Sequence, residues 1–485
     1  MHTSTQILVI GGGPAGSTAA TLLAREGFAV TLLDKAVFPR YHIGESLLPI
    51  CQDMFELLGV KEEMAACDFP KKYGSFFEWG SEQWEIRFSN DRSEAVYGYQ
   101  VEREEFDSIL LNNAKRQGVE VFEGVEFKHL LFHDGRPYKA TWARATGDEE
   151  HGEITFDYLI DASGRAGVMT TRHLKSRHYN ETFQNVATWS YWKNAKNLAR
   201  GPEGSIAIIS VPDGWLWGIP QRNDILSVGV VIHKSTFQEK KKQGISLEKF
   251  YLDTIKECST IAELVAPATM ISSIKVEQDY SYSTDIFAGP GYFIAGDAAC
   301  FLDPLLSTGV HLAMFSAFLT AASLASILRG EVEKEAAQDF YNHTYQQIYL
   351  RFLVLISGLY RQYRGKSAYF WDAQQLSRND YNSAELQHAF MNIISGLEDL
   401  KDAEQLAGEH ILNQTSAIFK ECIDLARNPG AFASFTDEER KEALSKIQRF
   451  NSIQGRPSLT PDTAVDGFYV SREPRLGLVR ASVKI

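Results

Sequence analysis

Residues 6 to 34, QILVIGGGPAGSTAATLLAREGFAVTLLD, constrain this chain more than any other stretch. An apolar strand runs into a glycine turn, a helix of small residues follows, and a second apolar strand ends at Asp34. Gly11, Gly13 and Gly16 form GxGxxG. In that spacing the glycines allow a tight turn, a close backbone approach to a pyrophosphate, and close packing of helix on sheet, with the helix N-terminus facing the phosphates. Asp34 follows Gly16 by 18 residues, where a carboxylate can take a ribose hydroxyl. Three glycines alone would fit a plain tight turn. With strand, helix, second strand and acid in this order, the segment reads as the opening of an α/β dinucleotide-binding fold.

Three further blocks narrow the nucleotide. VEREEFDSILL carries Arg103; YLIDASGR, Tyr158 to Arg165, is an apolar strand reaching Asp161 and a glycine turn; GYFIAGDAA, Gly291 to Ala299, is a strand ending at Gly296 and Asp297. The order of the four blocks resembles the FAD-binding Rossmann-type fold of the aromatic hydroxylase superfamily. That resemblance implies FAD, with Asp297 near the ribityl and pyrophosphate region and a helix N-terminus close to the isoalloxazine ring. It further implies that Gly11, Gly13, Ala15, Gly16, Asp34 and Lys35 meet the cofactor, together with Arg40, Ser46, Arg103 and Gly309.

Between these blocks the chain changes character. Residues 175 to 235 alternate, as in SIAIISVPDGWLWGIPQ and ILSVGVVIH, with a turn at Arg222-Asn223-Asp224. An antiparallel sheet from about residues 70–110 and 175–280 is therefore expected to interrupt an FAD domain spanning 1–330 and to roof the flavin. Residues 331–485 are expected to be mostly helical, with a loop at Pro457 to Asp466 and a tail that carries no clear pattern.

Charge and cysteine usage exclude other classes. The 485 residues hold 49 Lys plus Arg against 62 Asp plus Glu, and a net charge of −13 argues against a general nucleic-acid binder. The five cysteines are scattered without CxxC pairs or zinc spacing, as expected of a reducing, cytoplasmic setting without metal. No targeting peptide fits the start, since the first apolar run already belongs to the glycine motif. Val310 to Leu328 contains no Lys, Arg, Asp or Glu and reaches the length of a short membrane span. Its His311 and many Ser, Thr and Ala point instead to a buried helix. The apolar core of YLRFLVLISGLYRQYR, Phe352 to Leu359, is too short to span. Arg351, Arg361 and Arg364 read as a solvated basic face, with docking of a carrier protein as the alternative.

KAVFPRYHIGESLLP (Lys35 to Pro49), GDAACFLDPLLSTGVHLA (Gly296 to Ala313), SAYFWDA (Ser367 to Ala373) and GWLWGIP (Gly214 to Pro220) together resemble the flavin-dependent halogenases. That family's signature is Trp-x-Trp-x-Ile-Pro, met by Trp215, Trp217, Ile219 and Pro220. The resemblance covers most of the chain. It implies that reduced FAD from a separate, transient flavin reductase reacts with O2 to a C4a-hydroperoxide, which chloride or bromide attacks to give hypohalous acid. Two indoles two residues apart share a strand face and can wall the flavin chamber from the substrate chamber. A packed tryptophan pair on a core face is the plainer alternative.

In KKYGSFFEWG the Lys-x-Gly spacing selects Lys72 as the match to the family's active-site lysine, to which hypohalous acid is relayed; Lys71 competes, as does a simple solvated lysine pair. An ammonium there can polarise hypohalous acid, or a neutral amine can form a haloamine. The loop Ser307-Thr308-Gly309 precedes the apolar helix, so the amides of Thr308 and Gly309 can hold halide. A flavin- or phosphate-contacting helix start is compatible with that. Leu306 stands where halogenases of free tryptophan have a glutamate. This departure resembles the phenol and pyrrole branch, many of whose substrates are tethered to carrier proteins. The competing expectation is an FAD monooxygenase or a geranylgeranyl-reductase-like enzyme, which needs neither the two tryptophans nor Lys72; loss of all chemistry is disfavoured by the intact motifs.

Overall fold

A computed structural model describes residues 2–80, 82–88, 96–145, 150–361 and 459–481. The opening strand Ser4–Ile10 lies centrally in a sheet, parallel to Val30–Asp34 on one side and to His151–Asp161 on the other. Tyr292–Ile294 extends the parallel set beyond His151–Asp161, and Glu120–Glu123 extends it beyond Val30–Asp34. Ile7 to Ile10 and all of Val30–Asp34 are buried, as expected for strands covered on both faces. Ile10 pairs with Leu33 and Asp161, and Asp161 with Ile294. The carboxyl ends of four strands thus meet at one edge, where ligands bind in open α/β sheets.

The second sheet runs Thr269–Met270, Arg177–Lys193, Ile225–His233, Gly214–Gln221, Ile206–Val211, Gly74–Trp79, Glu82–Arg87, with Lys275–Thr284 also on Arg177–Lys193. The sequence leads one to expect an antiparallel sheet, and this one is mixed: Gly74–Trp79 pairs in parallel with Ile206–Val211. The chain leaves after Glu82–Arg87, passes through the nucleotide domain, re-enters at Arg177–Lys193, and reaches Ile206–Val211 only after that strand. Such a crossover permits a parallel pair, whereas a hairpin does not. Asn223 and Asp224 both have positive φ, 58° and 53°, and form the expected tight turn between Gly214–Gln221 and Ile225–His233.

The two faces of this sheet serve different cores. Trp215, Trp217 and Ile219 pack with Ile206, Ile208 and Val231 into the core shared with the nucleotide domain. Leu216, Ala207, Ile209 and Val230 face away, under Phe250, Tyr251, Ile261 and Leu264 from the helices Leu247–Glu257 and Ser259–Val265. The period of two therefore delivers both indoles to the nucleotide side.

Helix Gly309–Leu328 is buried along its length from Val310 to Ile327. Among the described residues it is the one helix long and apolar enough to cross a membrane, and its apolar stretch is wholly enclosed by protein. It packs against the glycine-turn helix Pro14–Arg25 and against Lys334–Arg361. The tail forms a hairpin, Phe468–Ser471 with Gly477–Arg480, docked where Leu478 N donates to Ser326 Oγ at 2.8 Å. Ser367 to Ala373 and Arg364 lie outside the described residues, as do the side chains of Arg351 and Arg361.

Candidate active site

The glycine turn is built to receive something. A Cβ on Gly16 would sit 1.8 Å from Gly11 O, and one on Gly11 2.2 Å from Ala162 O, so both contacts demand glycine. Gly13 is the N-cap of Pro14–Arg25 and supplies no side-chain acceptor, so the first-turn amides stay open to an anion. Gly296, with φ +61°, lies against Ala15 and Ala313, bringing the first and last nucleotide blocks and the apolar helix to one point. Asp297 follows there, its carboxyl pushed up by burial. Asp34 ties the turn together: its Oδ2 accepts from Gly12 N at 2.7 Å and its Oδ1 from Ala36 N at 2.8 Å. Each carboxylate oxygen keeps a second lone pair for a ribose hydroxyl. Lys35 is exposed beside it.

Arg40 and Arg103 form a clamp that the sequence reading left without its organiser. Arg103 donates from Nε to Asp107 Oδ1 at 2.8 Å and from Nη2 to Oδ2 at 3.0 Å; Arg40 Nη1 is 3.0 Å from the same Oδ2. Asp107 is fully buried, so it fixes both guanidinium groups in place. Arg40 Nη2 ends 3.3 Å from where a Cβ of Gly13 would stand, above the open helix end. Arg103 Nη1 donates to Ile43 O at 2.6 Å, holding the segment before Gly44. Glycines without room for a Cβ, an uncapped helix start and a guanidinium above it fit a dinucleotide pyrophosphate. Asp107 had a local signal: it lies four residues after Arg103 on one helix face.

Lys72 and Lys71 separate completely. Lys71 is exposed, stacked over Tyr97, whereas Lys72 is buried to 1% exposure. The short strand Lys71–Lys72 pairs with Gly98–Tyr99, and Gly98 lies so close to Leu47 O that a Cβ would fall 2.2 Å away. This contact brings the Glu45–Leu48 segment onto the lysine. Lys72 Nζ donates to Ser46 Oγ at 2.9 Å and lies 5.5 Å from the centre of the Phe88 ring. Burial pushes its pKa from 10.5 down to about 7. Ser46, expected at the cofactor, accepts this bond from the lysine.

Trp215 and Trp217 stand 6.0 Å apart by ring centroid, with Trp189 a further 6.4 Å from Trp217. Trp217 fills the space a side chain at Gly229 would need, and its Nε1 donates to Ser227 Oγ at 3.3 Å. At the start of the apolar helix, Thr308 is buried, and Leu312 N is the first amide to bond back, to Thr308 O at 2.9 Å. The first turn holds no acid and no side-chain cap, and Gly309 opens onto free space. The turn can therefore accept an anion through backbone amides. Thr308 and Gly309 open the apolar helix, Lys72 ends the short strand Lys71–Lys72, and the tryptophans lie on Gly214–Gln221.

Glu45 is a residue the sequence reading missed. It is 4% exposed, and burial raises its pKa to about 7 against the smaller downward pull of Tyr191 and Ser227. Tyr191 Oη donates to Glu45 Oε1 at 2.6 Å, while Oε2 has no hydrogen bond of standard geometry. Glu45 therefore sits between Ser46, which holds Lys72, and Ser227, which holds Trp217.

The family model for an FAD binding domain matches residues 4–350. A tryptophan 2-halogenase of Chondromyces crocatus is 43% identical over 511 aligned residues, covering 100% of this chain and 95% of the relative. A flavin-dependent halogenase of Pestalotiopsis fici is 36% identical, covering 94% and 85%. Among solved structures, the myxobacterial chondrochloren halogenase superposes with a TM-score of 0.72 at 34% identity, over 81% of this chain and 90% of that one.

Proposed function

We propose that this chain, which belongs to the FAD-binding flavin-dependent halogenases, installs chlorine or bromine on an electron-rich aromatic ring, with Lys72 presenting the halogen. When bound, reduced FAD supplies the activation of O2 and the oxidation of halide to hypohalous acid. Gly11, Gly13 and Gly16 with Arg40, Arg103 and Asp297 would hold that cofactor, delivered in reduced form by a separate flavin reductase. The amides of Thr308 and Gly309 would bind the halide. Trp215 and Trp217 would keep the ring to be halogenated away from the flavin, so that oxygen is spent on halide.

One observation supports this reading above the others: a fully buried lysine, held by Ser46 Oγ at 2.9 Å and pushed down to about pH 7 by its surroundings. A structural lysine has no reason to be desolvated without an ionic partner. One that must polarise hypohalous acid, or attack it as a free amine, does.

Phenols and pyrroles, free or tethered to a carrier protein, stand first among substrates because Leu306 leaves no carboxylate before Ser307 to orient an indole amino acid. Indole is the second reading, favoured by the name of the Chondromyces crocatus relative. The test supplies FAD, a flavin reductase, NADH, O2 and bromide to wild type and Lys72→Ala, with phenol, pyrrole and tryptophan panels read by mass spectrometry. Halogen incorporation that disappears in the variant supports the proposal. Equal incorporation by Lys72→Ala refutes the role of the lysine. Hydroxylated product in place of halogenated product refutes the chamber wall.

A further inference from the structure

Halogenation by reduced flavin consumes a proton. The balanced reaction is FADH2 + O2 + halide + ArH + H+ giving FAD + ArX + two H2O, in which flavin and halide are oxidised and O2 is reduced. The proton must reach a chamber closed by a tryptophan wall and an apolar core. Tyr41, Tyr191 and Glu45 form a line of hydroxyl and carboxyl groups from the surface inward. Tyr41 is 45% exposed, its Oη is 2.9 Å from Tyr191 Oη, and Tyr191 Oη is 2.6 Å from Glu45 Oε1.

The hydrogen bonds set a direction. Trp189 Nε1 donates to Tyr41 Oη at 2.6 Å, filling one acceptor position. With Glu45 ionised, the hydrogen of Tyr191 is committed to Glu45, so the Tyr41 hydrogen is the one that bridges the two tyrosines. Every O–H then points inward. We propose that Tyr41, Tyr191 and Glu45 are the proton-delivery path of this halogenase, with Glu45 the internal proton donor. A solvent proton binds Tyr41 Oη as the Tyr41 hydrogen passes to Tyr191 Oη and the Tyr191 hydrogen passes to Glu45 Oε1. Both tyrosines end neutral, and the protonated Glu45 gives its proton to the chamber and returns to carboxylate. One proton enters for each that leaves.

The surroundings suit that cycle. Glu102 and Arg103 act on Glu45 from the start of helix Arg103–Arg116, with opposite signs, and Ser227 faces it from the roof sheet. Lys275 lies 4.3 Å over the Tyr41 ring, and Glu277 on the same strand also acts on Tyr41. Burial keeps both phenols protonated, Tyr41 pushed up to about 12 and Tyr191 higher, so they conduct without ionising. The carboxyl of Glu45 titrates near neutrality, where a donor must reload.

The inference rests on the halogenase reaction and on neither Lys72 nor any substrate, so its test avoids both. Infrared titration of the cofactor-free protein is expected to show a protonated-carboxyl band that titrates near neutral pH, is absent from Glu45→Gln and is displaced in Tyr191→Phe. Single-turnover, bromide-dependent reoxidation of bound reduced FAD, run in H2O and D2O, is expected to slow about a hundredfold in Glu45→Gln, with partial recovery in Glu45→Asp. A wild-type protein with no bromide dependence would strike at the halogenase reading itself. A bromide-dependent wild type with Glu45→Gln within about twofold of its rate, or with the carboxyl band intact in that variant, overturns the relay. If Glu45→Gln fails to fold or to retain FAD, Tyr41→Phe at the exposed end decides. A slowed rate and a changed solvent isotope effect support the path, and wild-type values for both overturn it.

Discussion

Replacing Lys72 by methionine should make the protein more stable at acid and neutral pH while abolishing halogen transfer. The folded-state pKa is depressed from 10.5 to about 7, so between those values the unfolded chain holds a proton that the folded one has released. Stability therefore rises with pH across that window, and below it the fold must carry a buried ammonium. At ~1.4 kcal/mol for each pH unit, the charge costs about 5 kcal/mol below about pH 7 and nothing above the unfolded value. Methionine keeps the length of the side chain and removes the charge, and it leaves Ser46 Oγ without its donor at a cost of ~1 kcal/mol. The variant should then exceed wild type by about 4 kcal/mol at about pH 6 and fall below it by ~1 kcal/mol at about pH 11. Urea unfolding of the two cofactor-free proteins across pH measures the difference. A difference that does not change with pH would refute the reasoning, because it would mean that Lys72 carries no desolvation penalty.

Two further changes probe the cradle and the wall. Asp107→Asn should loosen both Arg40 and Arg103, destabilising the fold by ~3 kcal/mol, the cost of breaking a buried pair, and weakening FAD retention in equilibrium dialysis; unchanged retention would separate the clamp from the cofactor. Gly229→Ala places a Cβ 2.1 Å from the Trp217 indole. It should cost ~1–3 kcal/mol by overpacking and increase hydrogen peroxide release per NADH consumed as the wall shifts, and wild-type coupling would argue that Trp217 does not bound the chamber.

The parts of the site carried by local pattern were legible in the sequence. GxGxxG announces itself by spacing, although only Gly16 is crowded locally, by Gly11, while Gly11 is crowded by the distant Ala162; the shared face of Trp215 and Trp217 needs only the strand period, and the buried helix needs only its uncharged run. Lys72 was separable from Lys71 by its spacing to Gly74, and burial separates them physically. The parts that depend on distant partners were not legible. Glu45 meets Tyr191 and Tyr41 meets Trp189 across roughly 150 residues of sequence, and no period links them. The parallel pair in the second sheet depends on where the chain re-enters after its excursion through the nucleotide domain. The tail hairpin is two strands of four residues, too short for alternation to stand out.

Glu45 and Lys72 flank the same serine, and burial moves each to about 7 from opposite sides. That coincidence allows the pH profile to distinguish the two roles open to the lysine. If Lys72 acts as an ammonium that polarises hypohalous acid, the active form has both Glu45 and Lys72 protonated. Activity should then reach a plateau at acid pH and fall with a slope approaching two protons above about pH 7. If Lys72 acts as a neutral amine that carries the halogen, the active form has Glu45 protonated and Lys72 free. Activity should then be a narrow bell centred near pH 7, because each condition is lost on a different side. Glu45→Gln removes the alkaline limb of the bell in the second case, while in the first it leaves a single-proton fall set by Lys72. A profile flat through neutrality in the wild type would refute both assignments together, since neither group could then titrate within the rate-determining steps.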